Sequence, residues 1–167
     1  RDLHIFLRRQ LPMCIRSRQG TGAIEIKSGY GLNIEDEMKM LRVIRVLKSL
    51  SPIPIKATFL GAHALPTAFK NNKDAYMYLV TKEMLPRIAG EGLADYIDIF
   101  CETGYFSLDD LKQVIEAGDK HGLKAKVHVN QFSSFGAVKM ACEMGALSVD
   151  HLEIMNEDDY SALASSN

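Results

Sequence analysis

The chain has 167 residues, 47% hydrophobic and 25% charged, with a formal net charge of −1. That is the make-up of an ordinary globular protein with length for one core, and the near-neutral, scattered Lys and Arg exclude the basic field that a nucleic-acid backbone demands. No apolar run approaches the ~18 residues that span a bilayer, no signal-peptide pattern opens the chain, and three cysteines (Cys14, Cys101, Cys142) without C-x-x-C spacing argue against a disulfide framework or zinc knuckle, so a buried role for the thiols and a cytoplasmic, membrane-free location are expected.

Taken in chain order, Leu3, Phe6 and Leu7 suggest a first helix that Pro12 interrupts, giving one or two short helices before Arg18. Ala23, Ile24 and Ile26 predict a short strand, followed by Lys27 and the turn Gly29-Tyr30-Gly31. From Glu35 to Leu50 apolar residues return every three or four positions, among them Met38, Leu41, Ile44 and Leu47. This predicts an amphipathic helix with its methionine-bearing face in the core, stopped by Pro52 and Pro54. A second strand is expected over Ile55 to Leu60, closing in Gly61-Ala62-His63, then a polar loop and a helix from about Asp74 to Ala89. Tyr96 to Cys101 reads as the third strand and ends in Glu102. Ser107, with Asp110 three residues later, resembles a capping box that opens a helix to Lys120, stopped before Gly122. Leu123 to Val129 is a fourth strand carrying His128, Gly136 to Met144 a short helix, and Ala146 to Val149 begins a fifth strand that ends at His151. A last helix starts near Glu157; with no initiator Met and an end inside that helix, the chain reads as an excerpt.

Strand and helix thus alternate five times with no hairpin signal, which places the strands in parallel in one sheet with helices packed outside. The class is α/β. Two architectures compete, the open doubly wound sheet and the closed eight-stranded barrel. Gly29-Tyr30-Gly31 lacks the third glycine of a dinucleotide fingerprint and no P-loop occurs, so neither nucleotide motif decides between them.

Both architectures bind ligands at the carboxyl ends of their strands. Those ends carry Lys27 and Tyr30, then His63, Glu102, His128 and His151, which includes three of the five histidines in the chain. A single histidine at a strand end is more often a hydrogen-bonded structural residue, but three together point to a shared polar site. Glu102 alone would suit a cap, Lys27 a snorkelling surface residue, and His4 and His121 fall on helical segments where solvation is expected. Neutral imidazoles on adjacent strands suit a borderline divalent ion such as zinc or iron, which brings the pKa of a bound water towards ~7. Two histidines alone leave such an ion short of ligands.

The segments E-I-K-S-G-Y-G-L, T-F-L-G-A-H-A-L-P, D-I-F-C-E and S-V-D-H-L-E, in this order and spacing, closely resemble the imidazolonepropionase family of the amidohydrolase superfamily, from about Gly20 to Leu163. The resemblance implies a metal-dependent hydrolase built on a (β/α)8 TIM barrel, of which this chain supplies strands two to six. It also implies hydrolysis of the ring amide of 4-imidazolone-5-propanoate to N-formimino-L-glutamate in histidine degradation, with one divalent ion, zinc or iron, and a homodimer. Carried over residue by residue, Tyr30, His63 and Gln131 hold the substrate, with Lys27 and Glu102 shaping the pocket. His128 is a metal ligand, and His151 orients water or substrate and assists with protons.

Where the family motif reads His-Ala-Asp, this chain has His128-Val129-Asn130, which leaves the ligand in place but changes a neighbouring carboxylate. The family's His-x-His pair and late metal-binding Asp have no counterpart in the chain. Residues 1–167 are therefore expected to be a partial barrel domain truncated at both ends, with two open sheet edges and no activity in isolation. The alternatives from the same reading are a hydrolase or deaminase for another cyclic amide, since fold does not fix substrate, and a non-catalytic segment with a structural or interface role.

Overall fold

A computed structural model describes residues 20–166. The helix expected before Arg18, with His4 and Cys14, lies outside the described residues. Five strands form one sheet: β1 (Ile24–Lys27), β2 (Ile55–Ala62), β3 (Tyr96–Cys101), β4 (Lys124–Val129) and β5 (Ser148–His151). Their order across the sheet is the order of the chain and every neighbouring pair is parallel. That order settles the choice between the two architectures. A doubly wound sheet reverses direction at a switch point, whereas here each crossover moves one place the same way, and crossovers of the usual right hand then set their helices on one face, as in a barrel.

The helices begin and end where local chemistry dictates. Helix α1 (Ile34–Leu50) starts at Asn33, whose side chain accepts from the Asp36 N–H, and carries Glu35, Asp36 and Glu37 in its first turn, where carboxylates favour the N-terminal dipole. The next helical segment is α2 (Lys73–Tyr78), continued by a π-helical stretch (Leu79–Met84) into α3 (Leu85–Gly90). Pro86 is the cause of the widened turn: it has no N–H to donate and its ring crowds the carbonyl four residues back, so the helix opens just ahead of it. Helix α4 (Leu108–Lys120) opens with the expected capping box of Ser107 and Asp110. Helices α5 (Ala137–Glu143) and α6 (Glu157–Ser165) follow, the latter on a second capping box made by Asn156 and Asp159.

Because side chains alternate across a strand, each strand has an outer and an inner set. The outer set is apolar: Ala57 and Phe59, then Ile97, Ile99 and Cys101, then Val127 and Val129, all fully buried against Leu41, Ile88, Leu111 and Val114 of the helices. Each large side chain removed from water in this way contributes about 1.5–3 kcal/mol before chain entropy is set against it. The inner set is mostly charged or aromatic: Glu25 and Lys27 from β1, Tyr96, Asp98 and Phe100 from β3, Lys126 and His128 from β4, and Asp150 from β5, with Thr58 and Leu60 from β2.

Among the described residues β1 and β5 have one sheet neighbour each, as expected for open edges. Beside β1, helix α1 buries Met38, Leu41 and Ile44 but exposes Val43, Val46, Leu47 and Leu50. Its apolar surface is wider than the core described here covers.

Candidate functional site

The strand ends do converge. Phe100, 7% exposed, lies between the three histidines, with ring centroids 6.3 Å from His63, 6.5 Å from His128 and 6.4 Å from His151. His128 and His151 are neighbours, 5.2 Å apart, and Tyr30 meets His63 edge-on at 5.1 Å. Tyr105 packs on the remaining side of Phe100 at 4.6 Å. An aromatic floor thus joins residues from β2, β3, β4 and β5.

All three imidazoles are held by the same nitrogen. His63 Nδ1 is 2.9 Å from the Gly29 carbonyl, His128 Nδ1 is 2.9 Å from the Asp98 carboxylate, and His151 Nδ1 is 3.2 Å from Glu153. A carbonyl or carboxylate oxygen can only accept, so Nδ1 carries the proton in each ring. In the neutral ring the lone pair then falls to Nε2, the state in which histidine ligates a metal or accepts a proton.

The backbone is bent to permit this. His151 has φ +82° and Leu152 φ +64°, Asn130 follows His128 at φ +55°, and Leu32 follows the first loop at φ +55°. Non-glycine residues in this region cost energy and persist where the surroundings impose them, commonly at functional sites. Gly29 is required outright, since at φ +107° an added Cβ would stand 2.6 Å from the Leu60 carbonyl oxygen.

Beneath the histidines lies a layer of charge of which the sequence pointed only to Lys27. Lys27 Nζ is 2.8 Å from Glu25, 2.9 Å from Asp98 and 3.3 Å from Asp150. Glu25 also takes Lys126 at 3.1 Å and the Thr58 hydroxyl at 2.5 Å. Burial by itself lowers the Lys27 pKa, but Asp98 and Glu25 outweigh it and hold the ammonium above its ordinary value. Glu25 is pushed up by burial and pulled further down by Lys27, Thr58 and Lys126, so its carboxylate is held charged. Asp98 was legible as the lone charge in the apolar run Y-I-D-I-F-C; Asp150 and Glu25 had no such signal.

Asp98, His128 and Asp150 each offer a ligand atom within 4.8 Å of the others, so the group could hold a metal ion. Two of its three members already face the Lys27 ammonium. Among the described residues His128 keeps Nε2 uncommitted, and Asp150 keeps its second carboxylate oxygen.

Two buried carboxylates clamp the loops that carry other predicted residues. Glu37 accepts from the N–H groups of Gly29, Gly31 (2.8 Å) and Leu32 (3.0 Å), so it holds the turn that presents Tyr30. In the sequence it is hidden among the acidic residues of a helix start. Glu102 accepts from the N–H groups of Thr103 (2.8 Å) and Phe132 (2.9 Å) and from the Ser133 hydroxyl, which fixes the loop beginning at Gln131. Burial raises the Glu102 pKa, but the Phe132, Ser133 and Thr103 donors overcome it and the group is held below the usual carboxylate range. Gln131 itself is half-buried, and Tyr30 is 77% exposed at the rim. Lys27 is turned to the charged layer, and His121 caps α4 in solvent as expected.

Comparison with known proteins gives one consistent result. No family model matches the chain. It is 60% identical over 144 residues to the imidazolonepropionase of Christiangramia forsetii, covering 86% of this chain and 35% of that protein. The Flavobacterium johnsoniae imidazolonepropionase is 58% identical over 146 residues, covering 87% of this chain and 36% of that protein. That of Shewanella piezotolerans is 48% identical over 150 residues, with coverage of 90% and 37%. The resemblance carried by the four sequence segments is borne out along nearly the whole chain, and the chain spans about a third of the length of the curated relatives it matches.

Proposed function

We propose that this chain is an inner segment of an imidazolonepropionase, a metal-dependent hydrolase that opens the ring amide of 4-imidazolone-5-propanoate to N-formimino-L-glutamate in the cytoplasm, as a step of histidine degradation. The observation that carries the reading is the set of three histidines held by Nδ1 around Phe100, each with Nε2 available, on a chain 60% identical to a protein of that name. In this reading residues 1–167 are part of a (β/α)8 catalytic domain, the open edges of β1 and β5 are where its remaining strands pair, and the whole protein is a homodimer.

The donor set fits one divalent ion, zinc or iron, with His128 as its ligand from this chain through Nε2. Such an ion, completed by ligands from the rest of the protein, is a Lewis acid that lowers the pKa of a water and polarises the ring carbonyl. The residues of this chain then divide the remaining work. Tyr30 and His63 hold the imidazolone ring, Tyr30 from the rim and His63 by its free Nε2. Gln131 reaches the ring from the loop that Glu102 secures. His151 Nε2 accepts the proton of the attacking water and returns it to the departing ring nitrogen, the general acid and base role its pinned Nδ1 permits. Phe100 excludes water from the floor, which strengthens every polar contact above it. Glu102 belongs to this scheme through the loop it holds, since its oxygens already accept from three residues.

The test is the loss of imidazolone absorbance when the parent protein, loaded with zinc or iron, meets 4-imidazolone-5-propanoate. Metal-dependent loss that vanishes in His128→Ala is the expected result. Metal binding without turnover moves the reading to another cyclic amide, and a parent protein that binds no metal rejects it.

A further inference from the structure

We infer that Lys27 is a positioning residue for His128, acting through Asp98, rather than a group that touches substrate. The inference rests on the reading of His128 as a metal ligand. A lysine ammonium has three donors and no acceptor. All three have partners here, at 2.8 Å on Glu25, 2.9 Å on Asp98 and 3.3 Å on Asp150, so none is left over for a ligand.

Asp98 is the junction. Its side chain is fully buried in the middle of β3, with Lys27 on one oxygen and the Ile99 N–H on the other at 2.7 Å. The His128 Nδ1 lies 3.0 Å from the first of these oxygens' partner, Oδ1, and 2.9 Å from Oδ2, so the ring faces the whole carboxylate edge. A carboxylate in that position without a cation would be an unpaired buried charge, which proteins do not keep. Lys27 is what permits Asp98 to stay there as an acceptor, and Asp98 in turn fixes which nitrogen of His128 bears the proton and where the ring plane points. Glu25 and Lys126 complete the arrangement by holding Lys27 from below, since Glu25 bonds Lys27 at 2.8 Å and Lys126 at 3.1 Å. β1 and β4 are three places apart in the sheet, so this contact exists only when the strands curl towards one another.

Partners of this kind, one step removed from the metal, typically change affinity or activity by about 10- to 100-fold when removed. The experiment compares the parent protein with its Lys27→Met, Asp98→Asn and doubly substituted forms. Zinc affinity is read by competition with a chromophoric chelator, without substrate, and kcat and KM are read separately at saturating zinc. Lys27→Met is expected to weaken zinc binding about 10- to 100-fold and to lower kcat with KM little changed, and the double variant should be no worse than Asp98→Asn alone, because the two act in series. Lys27→Arg, which keeps the charge, should recover most of the affinity. Affinity within twofold of wild type in Lys27→Met, additive losses in the double variant, or a raised KM with kcat unchanged would each overturn the inference. Independently of any substitution, nitrogen NMR of the wild-type protein labelled at histidine should find His128 protonated on Nδ1; protonation on Nε2 rejects the scheme even if Lys27→Met does not fold. Wild-type protein that binds zinc and turns over while these outcomes fail leaves the proposed function standing, whereas wild-type protein without zinc removes both.

Discussion

Asn130 donates its carboxamide to Asp159 Oδ2 across 2.8 Å, and both residues are buried, at 0% and 1% exposure. The same amide reaches the Ile154 carbonyl at 2.9 Å, and Asp159 also accepts from Ser134 at 2.7 Å and from the Asn156 N–H at 3.1 Å. The departure from the family's His-Ala-Asp motif therefore has a structural partner: this chain ties the loop after β4 to the start of α6 with an amide facing a carboxylate.

It follows that Asn130→Asp sets two carboxylates against each other in a dry site. The expected cost is about 3 kcal/mol, the scale of an uncompensated buried charge. Asp159→Asn added to it should restore most of the loss by reversing the pair. Chemical denaturation of the parent protein and its three variants measures the coupling, and an Asn130→Asp form as stable as wild type would contradict it.

Glu102 makes the stability of the Gln131 loop depend on pH. Its folded pKa is held below the ordinary value, so it stabilises the protein above the unfolded value of ~4.3 and that contribution is lost as pH falls through the folded value. Glu102→Gln leaves one oxygen for three donors, costing about 1–3 kcal/mol at neutral pH. Unfolding of wild type and variant from pH 7 down to pH 3 should show the gap between them closing as the acid range is entered. Limited proteolysis should also cut the variant first near Ser133.

Gly29→Ala is expected to disturb the substrate end without touching the metal end. A methyl group 2.6 Å from the Leu60 carbonyl, at a φ of +107°, forces the turn to move and takes the acceptor of His63 with it. Strain of this kind costs about 1–3 kcal/mol. The predicted signature is a raised KM with zinc affinity kept, the opposite of Lys27→Met.

Cys101 should be silent to thiol reagents in the folded protein. Burial, with Asp110 and Glu102 nearby, pushes its thiol up to about 12, and it is fully buried on the outer face of β3. At pH 8, iodoacetamide is expected to modify Cys101 only after denaturant is added, as mapped by mass spectrometry. Cys142 is half-buried and serves as the internal comparison, with faster modification.

The elements, and most of the residues at their ends, are legible in the amino-acid sequence. Period-two and helical spacing, the Ser107–Asp110 cap and the prolines are local signals, and a strand end can be read without knowing where the strand goes. All five strands and the helices from residue 34 onwards lie within a few residues of where spacing placed them. Tyr30, His63, Glu102, His128 and His151 were visible for the same reason. Which residues they meet depends on how the strands come together. The one-directional strand order, the contact of Lys27 with Asp98 and Asp150 across 71 and 123 residues, and the Nδ1 bonds that set His63 and His128 are all non-local. The roles of Lys27 and Glu102 turned on this. In the sequence each is a polar residue at a strand end; Lys27 meets Asp98 and Asp150 only because the sheet curls, and Glu102 meets Phe132 and Ser133 only because β4 pairs with β3.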